Sequence, residues 1–277
     1  MQNFNAITRR AVLIGSPGHQ NNFLRGVRND IGNMSKFLQS NKGGAWRKED
    51  IVILDNPNLQ LISMALRSVY ADYLFVYFSG HGYTDWERGS RMLALRDHNI
   101  PDLYLLNSSP RQLVIVDACR SYAAPGLSGV PAFEDHVDHF EGSPAHELFN
   151  EYVACSPEGK LIVHSTQPGK VSIDSPSGGH FTQALLHVAT RMKTKEDYLP
   201  CSIDSVLTHV PGVLRKNRNS QTPSIVHEEG NLTVPFALGS TQPALKGKQK
   251  TGSGELVGTL AITLLLTGLV VAAVSSN

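Results

Sequence analysis

The sequence predicts an α/β fold with a mostly parallel central sheet and helices on both faces. Three observations predict it. Strand-like and helix-like stretches alternate along the chain, the order that builds parallel sheets with helical crossovers. Two runs, Tyr73–Phe78 and Leu113–Val116, are continuously apolar and rich in β-branched and aromatic residues, the pattern of strands buried on both faces. Each run leads directly into residues that can carry chemistry. Phe78-Ser79-Gly80-His81-Gly82 follows the first, and Val116-Asp117-Ala118-Cys119-Arg120-Ser121 follows the second. In open α/β sheets, sites are built at the carboxyl ends of the strands.

The elements follow in order. Ala11 to Gly15 reads as a first strand. Val27 to Leu38 has apolar residues at 27, 31, 34, 37 and 38, a helical stripe. Asp50 to Leu54 is a second strand. Pro57 or Asn58 opens a helix through Tyr70, carrying Leu59, Ile62, Ala65, Leu66 and Val69 on one side. The histidine-bearing strand comes next. Met92–Leu95 is expected to form a short strand and Pro101 to Leu106 a short helix, ahead of the cysteine-bearing strand. Residues 122–143 have little apolar periodicity and read as a long loop. Ala145 to Ala154 reads as a helix and Lys160 to His164 as a strand. Gly178 and Gly179 precede a helix from His180 to about Met192. Ile203 to Leu214 is a further helix interrupted at Pro211, and Leu232 to Ala237 a final strand, which Pro235 assigns to an edge. No internal repeat is present.

The chain has 277 residues and a net charge of +1, which provides no global electrostatic footprint for nucleic acid. Residues 1–238 suffice for one domain with a sizeable core. The cysteines are Cys119, Cys155 and Cys201, an odd number without a C-x-x-C pair, so a disulfide framework is not expected and a reducing compartment is. The amino terminus lacks an apolar stretch of signal-peptide length. Near the other end, Leu256 to Val274 is a run of 19 uncharged residues. At 1.5 Å per residue it covers most of a hydrocarbon layer about 30 Å thick. Residues 239–254 form a polar linker, and Lys246, Lys248 and Lys250 flank the run on its amino side. The positive-inside rule then predicts that residues 255–277 anchor the chain in a membrane as a single carboxyl-terminal pass, with the preceding domain in the cytoplasm. The alternative is that Leu256–Val274 packs as a soluble core helix or strand pair.

A thiol and an imidazole at neighbouring strand ends are the minimum equipment for cysteine nucleophilic catalysis. Cys119 follows a buried strand, and Arg120 or a protonated His81 would favour its thiolate. Cys155 and Cys201 are expected to be buried structural cysteines. Gly80 and Gly82 clear space around His81, and the Gly82 and Cys119 amides are natural donors to an oxyanion. Gly15-Ser16-Pro17-Gly18 also follows a strand but matches neither phosphate-cradling glycine pattern, which excludes that class of nucleotide site. His136 and His139 with Asp135 and Asp138 have no recognised metal-ligand spacing, so no metal is assigned.

In these motifs the chain resembles the caspase-like cysteine peptidases, the group that holds caspases, metacaspases and their bacterial relatives. The stretches that carry the resemblance are R-R-A-V-L-I-G, L-R-G-V-R-N-D-I-G-N-M, F-V-Y-F-S-G-H-G, L-V-I-V-D-A-C-R-S, and L-I-V-H-S-T-Q-P-G-K with S-G-G-H-F-T-Q-A-L-L. Q-T-P at 221–223 and the following L-T-V-P-F resemble the end of such domains, so the likeness covers about residues 9–238. It implies a caspase-hemoglobinase fold, peptide-bond hydrolysis, a His81–Cys119 dyad and no cofactor. Caspases carry glutamine two residues before the cysteine and glycine two after it, where this chain has Asp117 and Ser121. Asp117 matches the metacaspase pattern, in which that acid lines the primary specificity pocket. The resemblance therefore implies a preference for Arg or Lys before the scissile bond, since a buried carboxylate favours a bidentate cation. The other reading of Asp117 is that it holds its loop by hydrogen bonds.

Between Arg120 and Lys160 the chain has no lysine or arginine but seven acidic residues, so a basic-specific enzyme has no self-cleavage site there. The expected function is a membrane-tethered, cytoplasm-facing endopeptidase acting on protein substrates. Small caspase-like proteases of this kind resemble effectors of regulated cell death and antiphage, or antiviral, defence. Two alternatives stand beside it: a catalytically quiet signalling scaffold of the same fold at a membrane, and a protease gated by an activating ligand or partner protein.

Overall fold

A computed structural model describes residues 7–19, 22–87, 89–118, 120–122 and 143–241. In chain order the elements are β1 (Arg9–Ser16), α1 (Gly26–Gln39), β2 (Ile51–Asp55), α2 (Leu59–Ser68), β3 (Tyr73–Gly80), β4 (Gly82–Asp85), β5 (Ser90–Ala94), β6 (Asn99–Pro101), β7 (Arg111–Asp117), β8 (Arg120–Tyr122), α3 (Pro144–Cys155), β9 (Gly159–His164), β10 (Ser172–Ser175), β11 (Gly178–Gly179), α4 (His180–Ala189), β12 (Pro200–Ser202), α5 (Ile203–Lys216), β13 (Ser224–Gly230) and β14 (Pro235–Leu238). The central sheet has six strands in the order β13-β9-β7-β3-β1-β2. The strands β2, β1, β3, β7 and β9 run parallel, and β13 closes one edge antiparallel to β9. The expected α/β class with a mostly parallel sheet is what the chain adopts.

Alternation along the buried strands divides the core between two faces. Leu13, Phe75, Tyr77, Ile115 and Val163 pack with Met34 of α1, Phe149 of α3, Phe181 of α4 and Val206 of α5. Val12, Ile14, Val76, Phe78 and Val114 pack on the opposite face, with Ile62 and Leu66 of α2 and with Leu105. Local sequence sets the helices. The stripe of α1 buries Val27, Ile31, Met34, Phe37 and Leu38. Asn58 caps α2 by accepting the Leu61 amide at 2.9 Å. Ser143 caps α3, with Pro144 at its first position, where a missing N–H costs nothing.

Several expectations need adjustment. The helix from His180 stops at Ala189, short of Met192. The Thr190 hydroxyl donates back to the Leu186 carbonyl at 2.8 Å and the Arg191 amide closes a tight turn onto Val188. Pro211 does not interrupt α5, which continues to Lys216 because Val206, Val210 and Leu214 stay buried along one face. That burial outweighs the proline penalty of about 3 kcal/mol. The last strand is Pro235–Leu238, paired with β12 in a two-stranded ribbon. Cys201 is buried as expected, but Cys155 is exposed, at the last turn of α3.

The fold continues past Leu238, since Gly239 donates to the Leu199 carbonyl and accepts from the Tyr198 amide, and Thr241 donates to Asp197. Among the described residues no helix is long and apolar enough to cross a membrane. The segment 255–277 and most of the acidic loop, including His136 and His139, lie outside the described residues.

Candidate active site

β3 is buried along its whole length, and its neighbours β1 and β7 end beside it, with Ser16 opposite Gly80 and Asp117 opposite Ser79. His81 is therefore delivered at the carboxyl edge of the sheet, half-buried, on rigid support. Its own carbonyl accepts the Ala94 amide at 3.0 Å, which fixes the start of the β4–β5 hairpin, and Ala94 in turn accepts the Ser16 hydroxyl. The His81 Nε2 meets the backbone carbonyl of Asn22. A carbonyl can only accept, so Nε2 carries the proton and Nδ1 is left as the basic nitrogen. Gly18 lies under the ring. Its φ is +81°, and a Cβ there would stand 2.8 Å from His81 Cδ2 and 2.9 Å from Nε2. Asn22 and Gly18 had no sequence signal as partners of His81, because both act through backbone.

Gly82 is the first residue of β4, immediately after His81, opposite Leu93 of β5. Cys119 lies outside the described residues. The chain on either side of it is placed. Ala118 is buried and its carbonyl faces the Ser165 hydroxyl at 3.4 Å. Arg120 begins β8, which runs parallel to β10 with Arg120 opposite Ser172.

Asp117, the last residue of β7, is fully buried. Its Oδ1 accepts the Ser172 hydroxyl at 2.8 Å and its Oδ2 accepts the Thr182 hydroxyl at 2.7 Å. The single Thr182 proton goes to the carboxylate, so the Tyr77 hydroxyl, 2.6 Å away, donates to Thr182. Two further buried carboxylates lie on the same flank. Asp30 of α1 accepts the Ser79 hydroxyl and the Gly179 amide, each at 2.9 Å. Asp174 of β10 faces the Gly26 amide at 3.4 Å. Gln221 ties this flank together by donating to the Ser165 carbonyl and the Ser172 hydroxyl, both at 2.9 Å. The site can thus combine an oriented imidazole with a buried acidic flank. Asp30 did carry a sequence signal: it falls between Val27 and Ile31 on the stripe of α1 that faces the core. Among the described residues no group of three or more His, Cys, Asp or Glu side chains is arranged to hold a metal ion.

Comparison with known proteins identifies the family and the fold. The model of the caspase domain matches residues 8–233. Metacaspase-1B of Aspergillus oryzae is 38% identical over 88 residues, which cover 27% of this chain and 20% of that protein. Metacaspase-1B of Aspergillus clavatus is 41% identical over 88 residues, covering 27% and 21% respectively. The match thus spans about a fifth of the length of these curated relatives. The crystal structure of caspase-1 from Spodoptera frugiperda superimposes with a TM-score of 0.54 at 19% identity, covering 86% of this chain and 92% of that chain, a likeness of fold.

Proposed function

The chain belongs to the caspase-domain family of cysteine peptidases, and we propose that it is an endopeptidase in which His81 and Cys119 form the catalytic dyad. The observation that carries this reading is the His81 imidazole, held at a parallel-sheet edge with Nε2 committed to the Asn22 carbonyl. Its free Nδ1 is the base such a reaction needs. In this mechanism Nδ1 takes the Cys119 proton as the sulfur attacks the peptide carbonyl. The Gly82 and Cys119 amides hold the oxyanion. His81 then returns the proton to the leaving amine, and water, deprotonated by the same nitrogen, hydrolyses the thioester.

Asp30, Asp117 and Asp174 supply the charge for a pocket that takes Arg or Lys before the scissile bond. Residues 255–277 tether this domain to a membrane, with residues 242–254 as the spacer and the domain on the cytoplasmic side. Regulated cell death or antiphage defence is the setting that the family resemblance gives such an activity.

The test is hydrolysis of fluorogenic peptides carrying Arg, Lys, Asp or Leu before the reporter, with circular dichroism alongside. His81→Ala and Cys119→Ala should each abolish turnover and leave the spectrum unchanged. Turnover that persists in Cys119→Ala overturns the dyad. A wild type that prefers Asp or Leu overturns the acidic pocket.

A further inference from the structure

Half of the large hydrophobic side chains exposed among the described residues gather on and beside α2. Leu61 and Met64 stand on the helix, Tyr70 just past its end, and Leu103 and Tyr104 on the turn Asp102–Leu105. The Tyr104 hydroxyl lies 2.6 Å from the Ser63 hydroxyl, which ties that turn to the helix. One side of α2 enters the core through Ile62 and Leu66. The opposite side, at helical spacing, carries Gln60, Met64 and Arg67, all exposed. Met64 is 59% exposed at the middle of this ridge, and Tyr70 is 68% exposed beyond its end. Two open depressions of about 560 and 530 Å³ lie along the ridge, and Ser63 and Arg67 line both. Clustered apolar side chains around open depressions mark an interaction surface.

The charges on this face point to its partner. Arg67, in the last turn of α2, has no hydrogen-bond or ion-pair partner among the described residues. Asp97 sits at the other end. It accepts the Leu59 amide at 3.0 Å, lies 3.2 Å from the His98 ring, and stays exposed. Leu59 and Arg67 are eight residues apart, about 12 Å along the helix, with Met64 near the midpoint. A ridge with a cation at one end, an anion at the other and an apolar centre is complementary to itself when turned around. A two-fold interface requires that property. We propose that the α2 face is a self-association surface: two copies of this chain pair about a two-fold axis near Met64, with their α2 helices antiparallel and Arg67 of each against Asp97 of the other. Antiparallel helices also set their dipoles in the favourable sense. The face contains no residue of the candidate site, and the pairing leaves β13 unused.

The experiment uses the full-length chain in a mild detergent, with two readouts. Sedimentation velocity across about 1–100 µM should show a monomer–dimer equilibrium. Arg67→Asp and Asp97→Arg should each weaken it at least about tenfold, because each sets like charges against one another, and the double variant should restore most of the loss. Circular dichroism should be the same for all of them. The second readout is cross-linking. In a Cys119→Ala, Cys155→Ser background, Met64→Cys should give a disulfide-linked dimer on mild oxidation. Ile53→Cys should not. Ile53 is similarly exposed, but it shares the side of β2 with Ile51, which packs on the sheet face away from α2. A chain that is monomeric throughout overturns the pairing and leaves this face to a partner of another kind. A dimer that both single charge reversals leave intact, or that is not restored in the double variant, also overturns it and places self-association elsewhere, residues 255–277 included. Equal cross-linking from Ile53→Cys and Met64→Cys removes the two-fold axis from Met64.

Discussion

Asp117 serves the fold through its hydrogen bonds whatever else it does. Replacing it with Ala leaves the Ser172 and Thr182 hydroxyls buried without this acceptor, at about 1–3 kcal/mol for each. Lost activity in that variant would therefore mix two effects. Asp117→Asn keeps an acceptor oxygen and removes the charge. If the carboxylate reads a basic side chain, Asp117→Asn should lower kcat/KM for Arg peptides at least about tenfold while the denaturation midpoint shifts far less than in Asp117→Ala. Equal loss on Arg and Leu peptides would assign Asp117 to holding the loop. The sequence made Asp117 visible because it ends an apolar strand beside Cys119. Asp30 was legible in principle, as an acid on an otherwise apolar helical stripe. Asp174 was not, because Ser172-Ile173-Asp174 has too few residues to show a strand period.

At the scale of elements, α3 docks through an unusual contact. The Arg9 guanidinium at the start of β1 is buried between Trp46 and Phe149, 4.7 and 4.8 Å from their ring centroids. It donates twice to the Gly44 carbonyl and lies 2.8 Å from His146 Nδ1. Burial pulls its pKa down to about 9. Burial also lowers the pKa of His146, reinforced by Arg9 and Arg47 and opposed by the Ala45 carbonyl and Glu147. His164, buried against Asp102 at 2.7 Å, shifts the same way because burial outweighs its carboxylate partner, with Arg91 adding to the lowering and Glu228 opposing it. Both imidazoles are therefore favoured neutral in the folded chain. Their contribution is fully present above the ordinary histidine value of about 6.5. It is lost as the pH falls below that value, because the unfolded chain takes up protons that the folded one resists. Urea denaturation should thus give a lower midpoint at pH 5 than at pH 7.5, and His146→Gln should reduce the difference. An unchanged difference in that variant would remove His146 from the account. The principal strands and helices were legible because each has a run or stripe long enough to show its period. β13 was not: Ser224-Ile225-Val226-His227-Glu228-Glu229-Gly230 has two apolar residues, and its place is set by pairing with β9.

For the molecule as a whole, the tether proposal makes a direct prediction. The full chain should stay with membranes through a carbonate wash, and deletion of residues 255–277 should leave a soluble protein that still hydrolyses short peptides. Release of the full chain by carbonate would remove the anchor. Fold class was legible across the domain because strand–helix alternation is a property of the whole sequence. Of the small ribbons, β5 and β14 were legible as Met92–Leu95 and Leu232–Ala237, while β4, β6, β8, β10, β11 and β12 were not, because two to four residues carry no measurable period. One edge of the large sheet has a consequence for such a tethered population. Among the described residues no strand pairs with the outer side of β13, but its register shifts between His227 and Glu229, and His227, Glu228 and Glu229 are exposed, with Glu229 held by Lys160 at 2.6 Å. A bulge and a charged rim discourage strand addition. If the chain is tethered as proposed, copies crowded in two dimensions find little to pair with along β13, so this edge does not turn surface density into aggregation.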